Sequence, residues 1–83
     1  MGESMIKAYI MILVYIGKLG EVLDKLRKIE NIKSIAVTAG DYDIITKVSV
    51  ETLEELMEVT DKIQLVGGIK RTTTSVIEKE IEL

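Results

Sequence analysis

The stretch KAYIMILVYI, residues Lys7–Ile16, decides the fold of this 83-residue chain. Its many β-branched and aromatic residues predict a β-strand. Alternate side chains of a strand point to opposite faces of a sheet, and after Lys7 both alternating sets are apolar. Both faces of this strand therefore need a cover, whereas an antiparallel sheet commonly leaves one face to water.

Around this stretch, the hydrophobic periodicity divides the chain into six elements. The order β-α-β-β-α-β predicts an α+β fold of the ferredoxin-like type, with a four-stranded antiparallel sheet and both helices on one face. Residues 1–83 are expected to form a single domain. The predicted elements are a strand at Lys7–Ile16, a helix at Lys18–Glu30, strands at Lys33–Ala39 and Tyr42–Val50, a helix capped by Thr52, and a strand at Ile69–Glu82.

The second helix has a clear start signal. Thr52 and Glu55 fit a capping box, in which the Thr52 hydroxyl caps the helix and Glu55 reaches back to the Thr52 amide. Helical spacing then predicts which side of this helix faces the sheet. That side consists of Leu53, Leu56, Met57, Thr60 and Ile63.

The composition disfavours several classes of function. The chain has a net charge of −3 and contains no His, Cys, Trp or Phe. A nucleic-acid binder needs clustered positive charge, so direct binding of nucleic acid is not expected. Without His and Cys, we predict no metal site, no cofactor and no nucleophile–base pair, and therefore no enzyme. The absence of Pro and Cys also suggests a thermophilic source.

The apolar run Ala8–Ile16 is too short to cross a bilayer, which takes about 20 residues. It could be the apolar region of a signal peptide, but only Lys7 flanks it with positive charge and no small-residue cleavage site follows Gly17. We therefore predict a cytoplasmic protein without membrane contact. Met5 is an alternative natural start, which would make Met1–Ser4 an addition.

The second face of the predicted sheet indicates self-association. The helices cover one face, and the chain has no long loop to cover the other. An apolar patch of this size marks an interface or an aggregation hazard. We expect a second copy to cover it in a two-fold dimer, with the Glu78–Leu83 end of the last strand reaching the neighbour. The alternative is that the chain end folds over this face.

The segment Gly40-Asp41-Tyr42-Asp43 is the candidate site for a small molecule. One carboxylate could hold an ammonium group, and Gly40 could let the backbone approach a ligand carboxylate. If the third strand starts at Tyr42, Asp41 and Asp43 share one side of it and Tyr42 points to the other. The alternative is an ordinary hairpin turn whose aspartates bond nearby amides, and the residue chemistry alone favours that alternative.

The run Thr72-Thr73-Thr74-Ser75 is the second polar cluster. Its hydroxyls could bind a ligand carboxylate or amide. In a strand, Thr72 and Thr74 share one face, and Thr73 and Ser75 share the other. Thr is also common in half-exposed strands, and the residues alone favour that plainer interpretation.

Two motifs of this chain resemble those of the Lrp/AsnC family. Val37–Ile45 contains Gly-Asp-Tyr-Asp, and Gly67–Ser75 reads Gly-Gly-Ile-Lys-Arg-Thr-Thr-Thr-Ser. Together they are similar to the C-terminal effector domain of these regulators, the RAM domain (regulation of amino acid metabolism). The resemblance extends from Ile6 to about Glu80.

This resemblance implies a ferredoxin-like domain that dimerises through its sheets, assembles into rings and binds amino-acid effectors between dimers. Family members normally carry an N-terminal helix-turn-helix, for which this chain has no room. The chain therefore resembles the stand-alone RAM proteins, which have no DNA-binding domain, and a full-length regulator is an expected partner. The ligand-binding residues that the resemblance implies are Gly40, Asp41, Tyr42, Asp43, Thr72, Thr74 and Ser75.

We therefore expect an amino-acid-sensing regulatory module that modulates transcription through oligomer assembly. Two alternatives stay open. A small cofactor-free enzyme of the dimeric α/β class would need a large enclosed pocket within each protomer. A purely structural, ring-forming subunit would have no pocket at Asp41–Asp43.

Overall fold

The computed structural model describes residues 5–83, and the suggested addition Met1–Ser4 lies outside the described residues. All four strands belong to one antiparallel sheet in the order β2-β3-β1-β4. This arrangement confirms the predicted ferredoxin-like α+β fold. The elements are β1 (Ile6–Val14), α1 (Leu19–Leu26), β2 (Ile32–Val37), β3 (Ile44–Val50), α2 (Leu53–Gln64) and β4 (Ile69–Val76).

Strand β1 lies in the middle of the sheet and supplies the centre of the core. Its side chains Ala8, Ile10 and Ile12 pack with the helices and are at most 1% exposed. On neighbouring β3, Thr46 is buried in the same layer, and its hydroxyl donates a 3.0 Å hydrogen bond to the Ile10 carbonyl. Buried hydroxyls are nearly always bonded, so this contact explains how a polar residue fits the core.

Helix α2 packs on the sheet with a side that only partly matches the predicted one. Leu56, Val59 and Ile63 are buried, whereas Leu53 and Met57 are 61% and 63% exposed. The buried three are spaced at i, i+3 and i+7, which is one stripe of a helix. The prediction was right for Leu56 and Ile63 and wrong for Leu53 and Met57, because a neighbouring stripe carries apolar residues too. Neither helix within residues 5–83 has the length and apolar character needed to cross a membrane.

The start of α2 confirms the capping box, with one difference. The Thr52 hydroxyl accepts a 3.1 Å hydrogen bond from the Glu55 amide, as predicted. The Glu55 carboxylate reaches back 2.7 Å to the amide of Glu51 instead of that of Thr52. Both bonds satisfy amide groups that a helix start would otherwise leave without partners.

The last strand is shorter than predicted and ends at Val76 rather than Glu82. The Ile77 amide still donates a 2.8 Å hydrogen bond to the Lys7 carbonyl on β1. Because β1 begins at Ile6, the residues after Ile77 have no neighbouring strand with which to pair among residues 5–83. Alternating residues predicted a strand here, but a strand also requires a partner.

The other boundaries also differ from the prediction. β1 ends at Val14, α1 ends at Leu26, and β3 starts at Ile44 instead of Tyr42. The expectation that Asp41 and Asp43 would share one side of a strand is therefore wrong, because both precede β3. The connections at these ends are correspondingly longer than the sequence indicated.

The face opposite the helices, which we call the open face, is only partly covered. Tyr9, Met11 and Leu13 of β1 alternate with the buried residues and therefore point to it. Met11 and Leu13 are half-buried, and Tyr9 is 39% exposed. The central strand thus places apolar side chains on both faces, as its sequence predicted.

The chain end contacts one end of the open face. The Glu80 carboxylate accepts a 2.6 Å hydrogen bond from the Lys47 ammonium and lies 3.6 Å from that of Lys7. The hydrogen bond from Lys47 lowers the pKa of Glu80, and the same bond raises the pKa of Lys47. Beyond this contact, Ile81 is 69% exposed, so the chain end does not cover the whole face.

Candidate functional site

The β2–β3 loop, residues 38–43, is closed by two internal hydrogen bonds. The Thr38 amide donates to the Asp43 carbonyl at 2.9 Å. The Thr38 hydroxyl donates to the Tyr42 carbonyl at 2.8 Å. These bonds fix the ends of the loop and leave Gly40 and Asp41 at its exposed tip.

Asp43 joins this loop to the end of β1. Its amide donates a 3.0 Å hydrogen bond to the Ile12 carbonyl. Its side-chain oxygen Oδ2 accepts a 2.9 Å hydrogen bond from the Val14 amide. The carboxylate therefore takes the place of a strand partner where regular pairing stops. The turn interpretation expected the aspartates to bond nearby amides, whereas this amide lies 29 positions away in the chain.

The second oxygen of Asp43 is available for a ligand. Within residues 5–83, Oδ1 has no hydrogen bond in the structure, and no buried polar side-chain atom lacks a partner. Oδ1 must therefore reach solvent. One oxygen fixes the side chain in place while the other can accept a hydrogen bond from outside.

Gly40 has no conformational or packing role within this protomer. Its φ is not positive, unlike those of Gly17 and Gly68. A Cβ added to Gly40 would meet no atom within 4 Å. The space next to Gly40 is therefore open, and the sequence-based expectation that a ligand approaches here stays a prediction.

A cleft of about 250 Å³ lies beside Asp43, between the β2–β3 loop and the β1–α1 connection. Its wall is mostly apolar, with the hydroxyl of Thr38 and the carboxylate of Asp43 as polar groups. Ile16 in this wall is 101% exposed and Tyr15 is 54% exposed. The lining residues are Val14, Tyr15, Ile16, Gly17, Leu19, Val37, Thr38 and Asp43.

The β1–α1 connection supplies a part of this cleft that was not predicted from the sequence. Tyr15 and Ile16 were expected in the first strand, which ends at Val14 instead. The available signal was the position of these two apolar residues immediately before Gly17, where a positive φ of 84° turns the chain. Apolar side chains at such a turn cannot all reach the core.

The threonine cluster of β4 is divided between the two faces of the sheet. The register places Thr72 and Thr74 beside Ile12 and Ile10, on the helix face. Thr73 and Ser75 lie beside Met11 and Tyr9, on the open face. The predicted alternation is therefore present in the structure.

Thr73 is the member of this cluster that is hydrogen-bonded to the β2–β3 loop. The Tyr42 hydroxyl and the Thr73 hydroxyl are 3.0 Å apart and hydrogen-bonded. Because β1 lies between β3 and β4, the Tyr42 side chain passes over β1 on the open face. Thr73 was not among the predicted site residues, since the contact depends on which face each threonine occupies.

The predicted residues do not all meet within one chain. Asp43 lines the cleft, and Tyr42 bonds to Thr73, but Thr72 and Thr74 are on the other face of β4 and do not line the cleft. Within one chain, the β2–β3 loop and those threonines do not line a common cleft. The assignment of all seven residues to one site stays a prediction.

An α+β domain with a fixed carboxylate beside a small apolar cleft has the features of a small-molecule-binding module. The chain belongs to the Lrp/AsnC ligand-binding domain family, whose model matches residues 7–82. The resemblance seen in the two sequence motifs is thereby confirmed.

The sequence relatives include both transcriptional regulators and homocitrate synthases. The chain is 38% identical over 79 residues to the HTH-type transcriptional regulator FL11 of Pyrococcus abyssi. The match covers 95% of this chain and 52% of FL11. It thus spans about half the length of the curated relatives that it matches. Their Pyrococcus origin agrees with the predicted thermophilic source. A shorter segment of 53 residues, 64% of this chain, is 38% identical to 11% of a homocitrate synthase from Sulfolobus acidocaldarius.

Solved structures share the fold. The crystal structure of FFRP-DM1 has a TM-score of 0.81 and 34% identity, and the match covers 87% of this chain and 97% of that chain. The transcriptional regulator NMB0573 of Neisseria meningitidis, solved as an L-Met complex, has a TM-score of 0.84 and covers 94% of this chain and 53% of that chain. Its identity of 18% establishes a common fold only.

Proposed function

We propose that this chain is an amino-acid-responsive regulatory module without catalytic activity, and that the amino acid binds in the cleft beside Asp43. The carrying observation is the position of the Asp43 carboxylate, whose Oδ2 is held by the Val14 amide while Oδ1 reaches solvent. A side chain fixed in this way can accept a bond from a ligand without losing much conformational freedom.

The chemistry of the cleft suits a small amino acid. The Asp43 carboxylate can bind the ammonium group, and a charge-assisted hydrogen bond of this kind contributes about 1.5–3 kcal/mol. The apolar wall formed by Val14, Leu19 and Val37 can take an aliphatic side chain. At about 250 Å³, the cleft is smaller than the roughly 300–1,000 Å³ typical of pockets for drug-sized molecules.

A second copy of the chain would complete this site. Ile16 and Tyr15 leave one wall of the cleft open to water, and exposed apolar groups that adjoin one another favour an interface. A neighbouring dimer could bring Thr72, Thr74 and Ser75 to the Gly40–Asp43 loop, which would unite the predicted residues. In this proposal the open face forms the dimer, and dimers assemble further around the ligand.

The comparisons support a sensing role rather than a DNA-binding one. The matched segment forms about half of HTH-type regulators and also part of a homocitrate synthase. A module shared by regulators and an enzyme is easier to explain by ligand binding than by contact with DNA. The L-Met complex of NMB0573 is consistent with an amino acid as the ligand class. Partnership with a full-length regulator and action in the cytoplasm belong to the same proposal.

Calorimetry of the protein with each of the twenty amino acids tests the ligand. We expect at least one of them to bind and to raise the melting temperature. Asp43→Asn should weaken that binding by about tenfold or more, because Asn keeps an acceptor for the Val14 amide but loses the charge. Asp24→Asn, on the exposed side of α1, is the matched control. No heat of binding at millimolar concentrations of any amino acid would contradict the proposal.

Asp41 needs a separate test because it lies at the exposed tip of the loop. If a second dimer closes the site, Asp41→Asn should weaken amino-acid binding and leave the stability of the protomer unchanged. If binding is also unchanged, Asp41 is not part of the site, and Asp43 alone carries the charge.

The dimer is tested by light scattering coupled to size exclusion. Met11→Glu places a charge on the open face and should give a monomer that stays folded by circular dichroism. Leu53→Glu changes an exposed leucine of α2 and should leave the dimer intact. A protein that assembles normally but binds none of the twenty amino acids would support the purely structural alternative.

A further inference from the structure

The Tyr42 side chain leaves the candidate site on the side away from the cleft. Tyr42 lies between Asp41 and Asp43 in the β2–β3 loop, yet it is not among the residues that line the cleft. Its hydroxyl is hydrogen-bonded, at 3.0 Å, to the Thr73 hydroxyl on β4. The Tyr42 side chain is half-buried, whereas Thr73 is exposed. The centre of the loop is thereby attached to the far edge strand of the sheet.

This attachment requires a long side chain with a polar end. Because β1 lies between β3 and β4, two strand spacings of about 4.8 Å, roughly 10 Å in all, separate the loop from Thr73. A tyrosine can cross most of this distance and still offer a hydroxyl, while its ring covers apolar surface on the way. Met11 of β1 pairs with Thr73 and points to the same open face, so the ring crosses β1 at this level.

The attachment at Tyr42 is transmitted to Asp43 through the main chain. The Tyr42 carbonyl accepts a 2.8 Å hydrogen bond from the Thr38 hydroxyl, which fixes the backbone on the β2 side. The next amide, that of Asp43, donates a 3.0 Å hydrogen bond to the Ile12 carbonyl. The bond to Thr73 adds a third anchor on the open face. Together these contacts determine where the Asp43 carboxylate lies.

We infer that Tyr42 is a positioning residue, which holds the Asp43 carboxylate at the cleft through its hydrogen bond to Thr73 and does not itself contact the ligand. The inference rests on the proposed function, and it gives Tyr42 a role different from the ligand contact that the sequence resemblance implies. An anchored loop loses less conformational freedom when a ligand binds, so anchoring raises the affinity.

The open face links this role to the proposed dimer. Water competes for the exposed bond between Tyr42 and Thr73 in a single protomer. A second copy packed on the open face would exclude that water and strengthen the bond. The loop would then be held more firmly in the dimer than in the monomer. Reciprocity of binding free energies requires that the amino acid tighten the dimer by the same factor.

Hydrogen exchange tests the positioning role without a ligand. Tyr42→Phe keeps the ring and removes the hydroxyl, and should speed the exchange of the Val14 amide, the donor to Asp43 Oδ2, by about threefold or more. The matched control is Tyr9→Phe, since the Tyr9 hydroxyl has no hydrogen bond within residues 5–83. Exchange rates measured by nuclear magnetic resonance should be unchanged in that control.

Calorimetry tests the effect on binding with the amino acid that gives the largest heat with the natural protein. Tyr42→Phe and Thr73→Val should each weaken the affinity about fivefold, although neither residue lines the cleft. Thr73→Ser keeps the hydroxyl and should regain most of the affinity. Thr73→Val separates the two roles of Tyr42, because a direct contact between the Tyr42 hydroxyl and the ligand would survive the loss of the Thr73 hydroxyl.

Sedimentation equilibrium tests the link to the dimer. The amino acid should lower the dissociation constant of the natural dimer, and this decrease should be about fivefold smaller in Tyr42→Phe. Tyr9→Phe should respond like the natural protein. An equal response in Tyr42→Phe would show that the coupling does not pass through Tyr42.

The outcomes separate this inference from the proposed function. Normal affinity in Tyr42→Phe would overturn the positioning role and leave the amino-acid site standing, even if exchange became faster. Loss of affinity in Tyr42→Phe but not in Thr73→Val would make Tyr42 a ligand contact and would also overturn it. Binding of no amino acid to the natural protein would contradict the proposed function, and with it the role of Tyr42 in binding.

Discussion

Two glycine-bearing connections hold the same end of β1, but they do so in different ways. The Gly67–Gly68 turn uses its backbone: the Gly68 carbonyl accepts a 2.9 Å hydrogen bond from the Tyr15 amide. The β2–β3 loop uses a side chain: Asp43 Oδ2 accepts a 2.9 Å bond from the Val14 amide. Both supply the bonds that regular strand pairing no longer provides there.

The surroundings of the two glycines differ more than their bonds. Gly68 has a φ of +99°, and an added Cβ would lie 3.0 Å from the Lys18 Cβ and from the Val22 Cγ2. Gly40 has no positive φ and faces open space. The fold therefore requires a glycine at 68 and does not require one at 40. A loop that is well fixed yet has space around it is where a ligand or a partner can bind.

Gly68→Ala should have the largest effect on stability. The unfavourable φ costs about 1–2 kcal/mol, and crowding against α1 costs about 1–3 kcal/mol, so we expect a loss of roughly 3 kcal/mol in the free energy of unfolding. Chemical denaturation measures it. Gly67→Ala is the control, since its φ is not positive and its Cβ would come no closer than 4.0 Å to the Lys25 ammonium. Equal losses for both variants would show that neither the positive φ nor the crowding at Gly68 causes the loss.

Asp43→Ala should cause the next largest loss in the free energy of unfolding. It leaves the Val14 amide without its acceptor, which costs about 1–3 kcal/mol, and it removes the proposed ligand contact. Asp43→Asn should keep most of the stability but not the binding of an amino acid. Parallel denaturation and calorimetry measure both properties. If the two substitutions lower stability equally, the charge of Asp43 rather than its geometry holds the loop.

Tyr42→Phe should lower the free energy of unfolding by less, about 0.5 kcal/mol, because the hydrogen bond of Tyr42 to Thr73 is exposed. Thr73→Val should give a similar loss, and the double variant should add nothing further if the two hydroxyls act only through each other. Thr74→Val, on the opposite face of β4, is the control for the change of side chain. A loss in the double variant equal to the sum of the single losses would argue against this coupling.

Gly40→Ala should have the smallest effect on the free energy of unfolding, within about 0.5 kcal/mol. If a ligand or a second dimer approaches this position, the same change should lower amino-acid affinity by about tenfold or more, a loss of about 1.4 kcal/mol. The Gly40→Ala variant would then lose amino-acid affinity while keeping its free energy of unfolding. A normal affinity would show that the space beside Gly40 is not used.

Much of the fold could be predicted because the signals are local. Two-sided apolarity identified Lys7–Ile16 as a central strand, and the Thr52–Glu55 box identified the start of α2. The failures occurred where a local pattern needed a partner. Residues 77–83 alternate like a strand, but β1 is too short to pair with them. The buried side of α2 could not be chosen between two apolar stripes without knowing where the sheet lies.

The same division between local signals and distant partners explains why the candidate site was predicted only in part. The sequence identified the Gly40–Asp43 segment as the place where carboxylates and a glycine meet. It could not show that one Asp43 oxygen bonds to Val14, a residue 29 positions away, nor that Ile16 lines the same cleft. Thr73 rather than Thr72 meets Tyr42 because of strand register, which depends on long-range pairing.

The sequence by itself determined the order of elements, the apolar character of both faces of the first strand and the kinship with the Lrp/AsnC ligand-binding domain. These follow from periodicity, capping and motif residues, which act over a few positions. Only the tertiary structure decided which carboxyl oxygen of Asp43 bonds to Val14, that the space beside Gly40 is open, and that residues 77–83 have no strand partner among residues 5–83. Each of these depends on which distant strands are neighbours, and on where their pairing stops.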